Sequence, residues 1–282
     1  MILSASRRTD IPAWHSDLLL AALRRGWIDT ANPFRPSQIS RTSLRAEDVD
    51  AMIIWTRDAR ALLPHLDGPL LGPHRSVFQY TITGYGPPLE PGIPNADVGV
   101  EAMRGLAERL GPDRVIWRYD PLILGDGSLT ADAHRARFSR LAAALDGSTR
   151  RVVISLVDWY RKTTRALRPH LDGLQSPHVS SLEPEDPSVL GLVSDLREIA
   201  SARGIEAVGC CEPAWDAQGV LPAGACIDAA LLRRLWDLPI PKRKDPRQRP
   251  ACRCAPSKDI GDYDTCRGGA CTATLAQGRR AP

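Results

Sequence analysis

Apolar positions along the chain fall into short runs separated by polar, Gly- and Pro-rich turns, and the runs alternate between two periodicities. Compact runs rich in Val, Ile, Leu and aromatics predict strands at residues 1–6, 52–56, 76–83, 114–118, 151–157 and 205–210. Between them, apolar residues recur at helical spacing. They predict helices at residues 15–26, 59–66, 97–110, 131–145, 160–171, 187–203 and 227–237. The punctuation agrees: Gly26 and Gly204 stop helices, Thr130 can cap one, and Pro239 and Pro241 end the last. Residues 30–46 read as loop, because Pro33 and Pro36 stiffen them.

Strand and helix in repeated alternation imply an α/β fold with a parallel sheet. A complete eight-stranded barrel takes about 250 residues, close to the length that precedes the polar tail. With six strands, the first reading is a partial or irregular (β/α) TIM-type barrel over residues 1–241. The alternative is an open doubly wound sheet. No Gly-rich phosphate loop follows the first strand, which speaks against a dinucleotide site. Residues 242–282 form a separate cysteine-rich segment.

Polar residues gather at the C-terminal ends of the predicted strands, where α/β folds bind ligands. Arg7, Arg8 and Asp10 follow the first strand, Arg57 the second and Tyr85 the third. Arg118 and Asp120 follow the fourth, Asp158 the fifth, and Glu212 the sixth. Arg7, Arg8, Arg57, Arg118 and Tyr85 are the candidate substrate-binding residues, since guanidinium groups grip anions bidentately. Asp10, Asp120, Asp158 and Glu212 are the candidate proton carriers.

Composition changes this picture little. The 282 residues are 43% apolar, enough for a sizeable core, and the net charge of +4 does not indicate nucleic acid. Residues 1–6 carry no basic leader, and no run reaches the length of a membrane span. The expectation is a cytoplasmic protein, where cysteines serve as ligands or buried thiols rather than disulfides. The six histidines are scattered singly and offer no ligand set.

Cysteine usage does change it. Cys252, Cys254, Cys266 and Cys271 fall within twenty residues that contain few apolar groups. Such a stretch cannot offset its own ordering entropy by burial, whereas metal-bound thiolates would order it. These four are the candidate metal ligands, for an iron–sulfur cluster of the [4Fe–4S] type or for zinc held by the same four thiolates. Cys210, flanked by Val208 and Gly209, reads as a packing thiol. Cys211, beside Glu212, is positioned to face the mouth of the sheet, and Cys226 could join the tail cluster.

The chain resembles the domain of unknown function 1848 family. The resemblance rests on residues 4–13 (SASRRTDIPA), 32–34 (NPF), 54–57 (IWTR), 78–86 (FQYTITGYG) and 115–121 (VIWRYDP). It continues through 154–158 (ISLVD), Cys226-Ile227-Asp228 and Asp259-Ile260-Gly261 to Cys266. The family's C-terminal cysteines are similar to those at the N-terminus of radical SAM enzymes, which implies an iron–sulfur protein and, with an open iron, S-adenosylmethionine. This chain departs from the C-x3-C-x2-C pattern, because Ala270 and Ala273 stand where the second and third cysteines would be.

Two functions follow. One is an iron–sulfur enzyme acting on a small polar or anionic molecule at the mouth. The other is a non-redox binding or hydrolytic barrel whose zinc, held by four cysteines, is structural.

Overall fold

A computed structural model describes residues 1–32, 35–174, 177–241, 243–263, 265 and 266. The elements in chain order are β1 (Ile2–Ala5), α1 (Ile11–Trp14), α2 (Ser16–Arg25), β2 (Trp27–Asn32), β3 (Arg35–Ser43), β4 (Ala51–Thr56), β5 (Ser76–Thr81) and α3 (Ala96–Leu110). They continue with β6 (Val115–Leu122), α4 (Ala131–Ala144), β7 (Arg151–Leu156), α5 (Arg161–Leu171), α6 (Pro187–Ser201), β8 (Glu206–Gly209), α7 (Pro213–Ala217), α8 (Ala229–Trp236) and β9 (Lys258–Asp259).

Seven strands form one sheet in the order β8-β7-β6-β5-β4-β1-β9, and every pairing in it is parallel. The fold is thus mixed α/β around a parallel sheet. Strand side chains alternate between faces, and the two faces bury different partners. Leu3, Met52, Ile54, Phe78, Tyr80, Trp117, Tyr119 and Ile154 pack with Leu19 and Leu23 of α2, Leu106 of α3, Phe138 of α4 and Leu192 of α6. Ile2, Ile53, Val77, Ile116, Val153 and Val208 face the other way, onto Leu231 and Leu232 of α8 and onto Cys252, Cys254 and Ala255 of the tail. No helix among the described residues is long and apolar enough to cross a membrane.

Local signals account for most element ends. Gly26 closes α2 in the left-handed region at φ 82°, and the Thr130 side chain accepts from Ala133 N to start α4. Two expectations fail. Residues 30–46 are not loop: β2 and β3 pair as an antiparallel ribbon with an irregularity at Ala31/Asn32. The ribbon turns Thr30 and Thr42 inward, and the guanidinium groups of Arg25 and Arg41 both stack over the Trp27 ring. Its alternation is built from small polar residues, so an apolar pattern does not reveal it. Residues 59–66 do not form a helix either. They make turns and a single 3-10 turn at Leu63–His65, since Pro64 lacks the N–H a helix interior needs.

The C-terminal segment is woven into the sheet. Its β9 pairs with β1, and the Asp259 carboxylate accepts from Ser4 Oγ (2.7 Å), Ser6 Oγ (2.6 Å), Arg7 N (2.8 Å) and Gly261 N (3.0 Å). Gly261 lies so close to β1 that a Cβ there would meet Ser6 Oγ at 2.2 Å. That approach demands glycine.

One buried group makes the core sensitive to acid. His134 is fully buried; its Nδ1 lies 2.7 Å from the Tyr119 hydroxyl and its Nε2 2.8 Å from the Ile123 carbonyl. Burial pushes the imidazole down to about 4, against the Ile123 hydrogen bond that raises it. The folded value lies below the unfolded one, so the contribution to stability is complete above about pH 6.5 and is lost as pH falls toward 4. The loss reaches about 3 kcal/mol. Nitrogen-15 NMR should find the His134 ring still neutral at pH 5; a midpoint near the ordinary histidine value would refute this.

Candidate active site and thiol cluster

A cavity of about 150 Å³ opens where the parallel strands end. Each of the six longer parallel strands contributes to its wall: Arg7 and Asp10 beyond β1, Thr56 and Arg57 at β4, Thr81 of β5, Arg118 and Asp120 of β6, Asp158 after β7, and Cys210 and Cys211 after β8. The tail supplies Gln248, Arg249, Cys252, Cys254 and Cys266, and Cys226 comes from the turn before α8. Cys266 therefore lies at the same rim as Arg7 and Arg118. Cys271 lies outside the described residues.

The charged residues of this wall are paired. Arg118 is buried; it donates to Asp120, to Gln79 Oε1 (3.4 Å) and to Cys226 Sγ (2.8 Å), and stacks over Trp55. Asp120 also accepts from the Ser155 hydroxyl. Arg57 meets Glu90 and Thr83. Arg7 reaches Ser257 Oγ at 3.0 Å and Asp259 at 3.9 Å. Asp158 holds Arg249 at 2.6 Å; burial pushes this carboxyl up, and Arg249 pulls against it. Arg249 and Asp259 are functional candidates that local spacing did not reveal, because their partners are distant in the chain.

Asp10 has a structural duty. Its Oδ1 accepts from Ala13 N (3.0 Å) and Thr56 Oγ1 (2.8 Å), its Oδ2 from Arg57 N (2.7 Å), so it caps α1 and ties β1 to β4. Burial pushes it up to about 6 in spite of these donors. An Asp10→Asn change should cost about 1–3 kcal/mol, since the new amide N–H must face the N–H of Arg57 or of Ala13. Urea unfolding measures this, and an unchanged midpoint would count against it.

Three other candidates are not on the cavity wall. The Tyr85 hydroxyl donates to Pro121 O (2.8 Å) and accepts from Ile123 N (2.9 Å), and burial raises it well above the usual phenol range. Arg8 donates to Gly261 O at 3.2 Å and stacks on Tyr263, which secures the tail. Glu212 accepts from Leu156 N at 2.9 Å and is pushed up to about 8 by burial. The Thr9 hydroxyl is buried without a partner, and its residue lines the cavity.

Sulfur dominates one side of the site. Cys210 Sγ lies 3.3 Å from Cys226 Sγ. Cys211, Cys252 and Cys254 line the same cavity, and the Cys254 N–H donates to Cys252 Sγ at 3.5 Å. Hydrogen bonds from Cys210 and Cys254, with Arg118 adding to them, hold Cys226 well below the usual thiol range. Those from Cys211 and Cys254 bring Cys252 down to about 3. The thiol expected to serve packing, Cys210, thus also lines the cavity. Among the described residues, no three His, Cys, Asp or Glu side chains are arranged to hold a single metal ion. The donor set is nonetheless all sulfur, which suits zinc or an iron–sulfur cluster.

The sequence profile described as "domain of unknown function (DUF1848)" matches residues 2–272. No curated protein matches the chain.

Proposed function

On the premise that the chain belongs to the DUF1848 family, we propose that it is an iron–sulfur enzyme acting on a small polar or anionic molecule in the cavity at the strand ends. The observation that carries this reading is the convergence of tail cysteines and strand-end Arg and Asp residues on one cavity. The sequential order of β1, β4, β5, β6, β7 and β8 suits a barrel wall, while β9, placed on the far side of β1, fits a doubly wound sheet as well. Cys252 and Cys254 would hold the cluster, with Cys266 and Cys271 as the other tail ligands. Bound there, a cluster supplies one-electron chemistry, and S-adenosylmethionine is a co-substrate only if one iron is left open.

This chain's own residues have separable tasks. Arg7 and Arg57 border the cavity and would orient a negative group. Asp158, raised by burial and restrained by Arg249, would carry a proton at its carboxylate. Asp120 keeps Arg118 in place beside Cys226. The second reading, a hydrolytic or binding protein with structural zinc, draws on the burial of Cys252 and Cys254 beneath the sheet.

Anaerobic purification with iron, zinc and acid-labile sulfide analysis separates the two. The iron–sulfur reading expects a brown protein with sulfide matching its iron. A colourless protein holding stoichiometric zinc would replace it with the second reading.

A further inference from the structure

A second cavity, of about 810 Å³, lies at the opposite end of the sheet, where β5 and β6 begin. The segment from Leu66 to Ser76 supplies most of its lining, joined by Arg109, Arg114 and Trp236. Hydrogen bonds from Gly72 N to Gly68 O and from His74 N to Leu71 O, both 2.9 Å, wind that segment tightly. A Cβ at Gly72 would meet Gly68 O at 2.8 Å, so the turn is closed enough to require glycine there.

The charge on this wall is unbalanced. Three guanidinium groups, of Arg75, Arg109 and Arg114, stand against one carboxylate, Asp67. Asp67 is 74% exposed and lies 3.8 Å from Arg109. Arg75 is exposed and meets no carboxylate among the described residues. Arg114 is half-buried; its Nε donates to Ser76 O at 2.8 Å, and its guanidinium lies over the Trp236 ring. No carboxylate pairs with it among the described residues, since the adjacent Asp113 is turned to Arg234. Other partly buried cations of the chain are neutralised: Arg57 by Glu90, Arg151 by Asp228 and Arg249 by Asp158. Burial without a counter-charge pushes the Arg114 guanidinium down from its usual range. His74, 7% exposed, is on the same wall, and its Nδ1 has no hydrogen-bond partner. A desolvated cation without an acidic partner, on an open cavity, calls for an anion from outside.

We propose that this cavity is a second binding site, for the oxyanion of a small molecule, phosphate or carboxylate, gripped by Arg114 and Arg75. A guanidinium presents paired N–H donors that match either group. Ser76 occupies the Arg114 Nε, which leaves the Nη groups to the anion. No residue of the strand-end cavity takes part, so this site stands or falls apart from the iron–sulfur reading.

Isothermal titration calorimetry on the full chain, with inorganic phosphate in one arm and acetate in the other, reads the affinity. At least one of the two should bind in the millimolar range or tighter. A phosphate site prefers phosphate, and a carboxylate site binds acetate as well or better. Arg75→Gln and Arg114→Met should each weaken binding about tenfold. Arg75 is exposed, so its variant keeps the fold even if that of Arg114 does not. In parallel, mass-spectrometric mapping of phenylglyoxal modification on wild type should show the bound anion slowing the reaction of Arg75 and Arg109. That readout needs no variant. Heat from neither anion, unchanged affinity in both variants, or Arg75 and Arg109 modified equally fast with and without anion overturns the assignment.

Discussion

Asp259→Ala should release the C-terminal segment from β1 and lower the unfolding free energy by about 3–5 kcal/mol. The carboxylate is nearly buried, 8% exposed, and sits between Arg7 and Arg8. Four hydrogen bonds end on it, two from the hydroxyls of Ser4 in β1 and Ser6 just beyond it and two from backbone N–H groups. Its removal leaves those donors without their acceptor and two partly buried cations without their counter-charge, and a stranded buried donor costs its full desolvation. Arg7, one of its partners, lines the cavity, so the loss should reach the cavity as well. Urea unfolding gives the energy. Limited trypsin digestion gives the place, with new cuts expected at Arg247 and Arg253, since Pro250 shields the bond after Arg249. A wild-type midpoint with no new cleavage would show that the tail is held by other means.

Arg118→Met should cost a similar amount, about 3–5 kcal/mol, because it strands Asp120 as an unpaired buried carboxylate. The pair is a clean case for a double-mutant cycle. Arg118→Met/Asp120→Leu removes both charges and should recover most of the loss, short of about 1 kcal/mol for the Ser155 hydroxyl left without its acceptor. If the double variant is as unstable as the sum of the singles, the pair is not the source of the effect. The cation then acts mainly through Gln79 and Cys226.

Both predictions turn on contacts that reach far along the chain, and this divides what could be read from residues alone from what could not. Helix positions were legible because amphipathic spacing is local: residues 97–110 and 187–203 match α3 and α6 within two residues. The strands and their polar ends were legible for the same reason. The β2–β3 ribbon was not, since its inward positions are Thr30 and Thr42 rather than large apolar residues. Asp10, Arg8 and Tyr85 follow strands as candidate site residues should, but their polar atoms meet backbone and tail partners, and Arg8 and Tyr85 lie off the cavity wall.

By itself, the sequence determined the α/β alternation, the parallel sheet and the gathering of Arg, Asp and Cys at one end of the strands. These follow from periodicity within a dozen residues and from the polarity of the turns that follow each strand. Only the tertiary structure decided which of those residues meet. Arg249 reaches Asp158 across 91 positions, Asp259 reaches Ser4 across 255, and Cys226 meets Cys210 across 16. Such pairings depend on strand register and on the path the tail takes beneath the sheet. Neither is written in the spacing of neighbouring residues, because a register is fixed by the fit of whole faces rather than by any one segment.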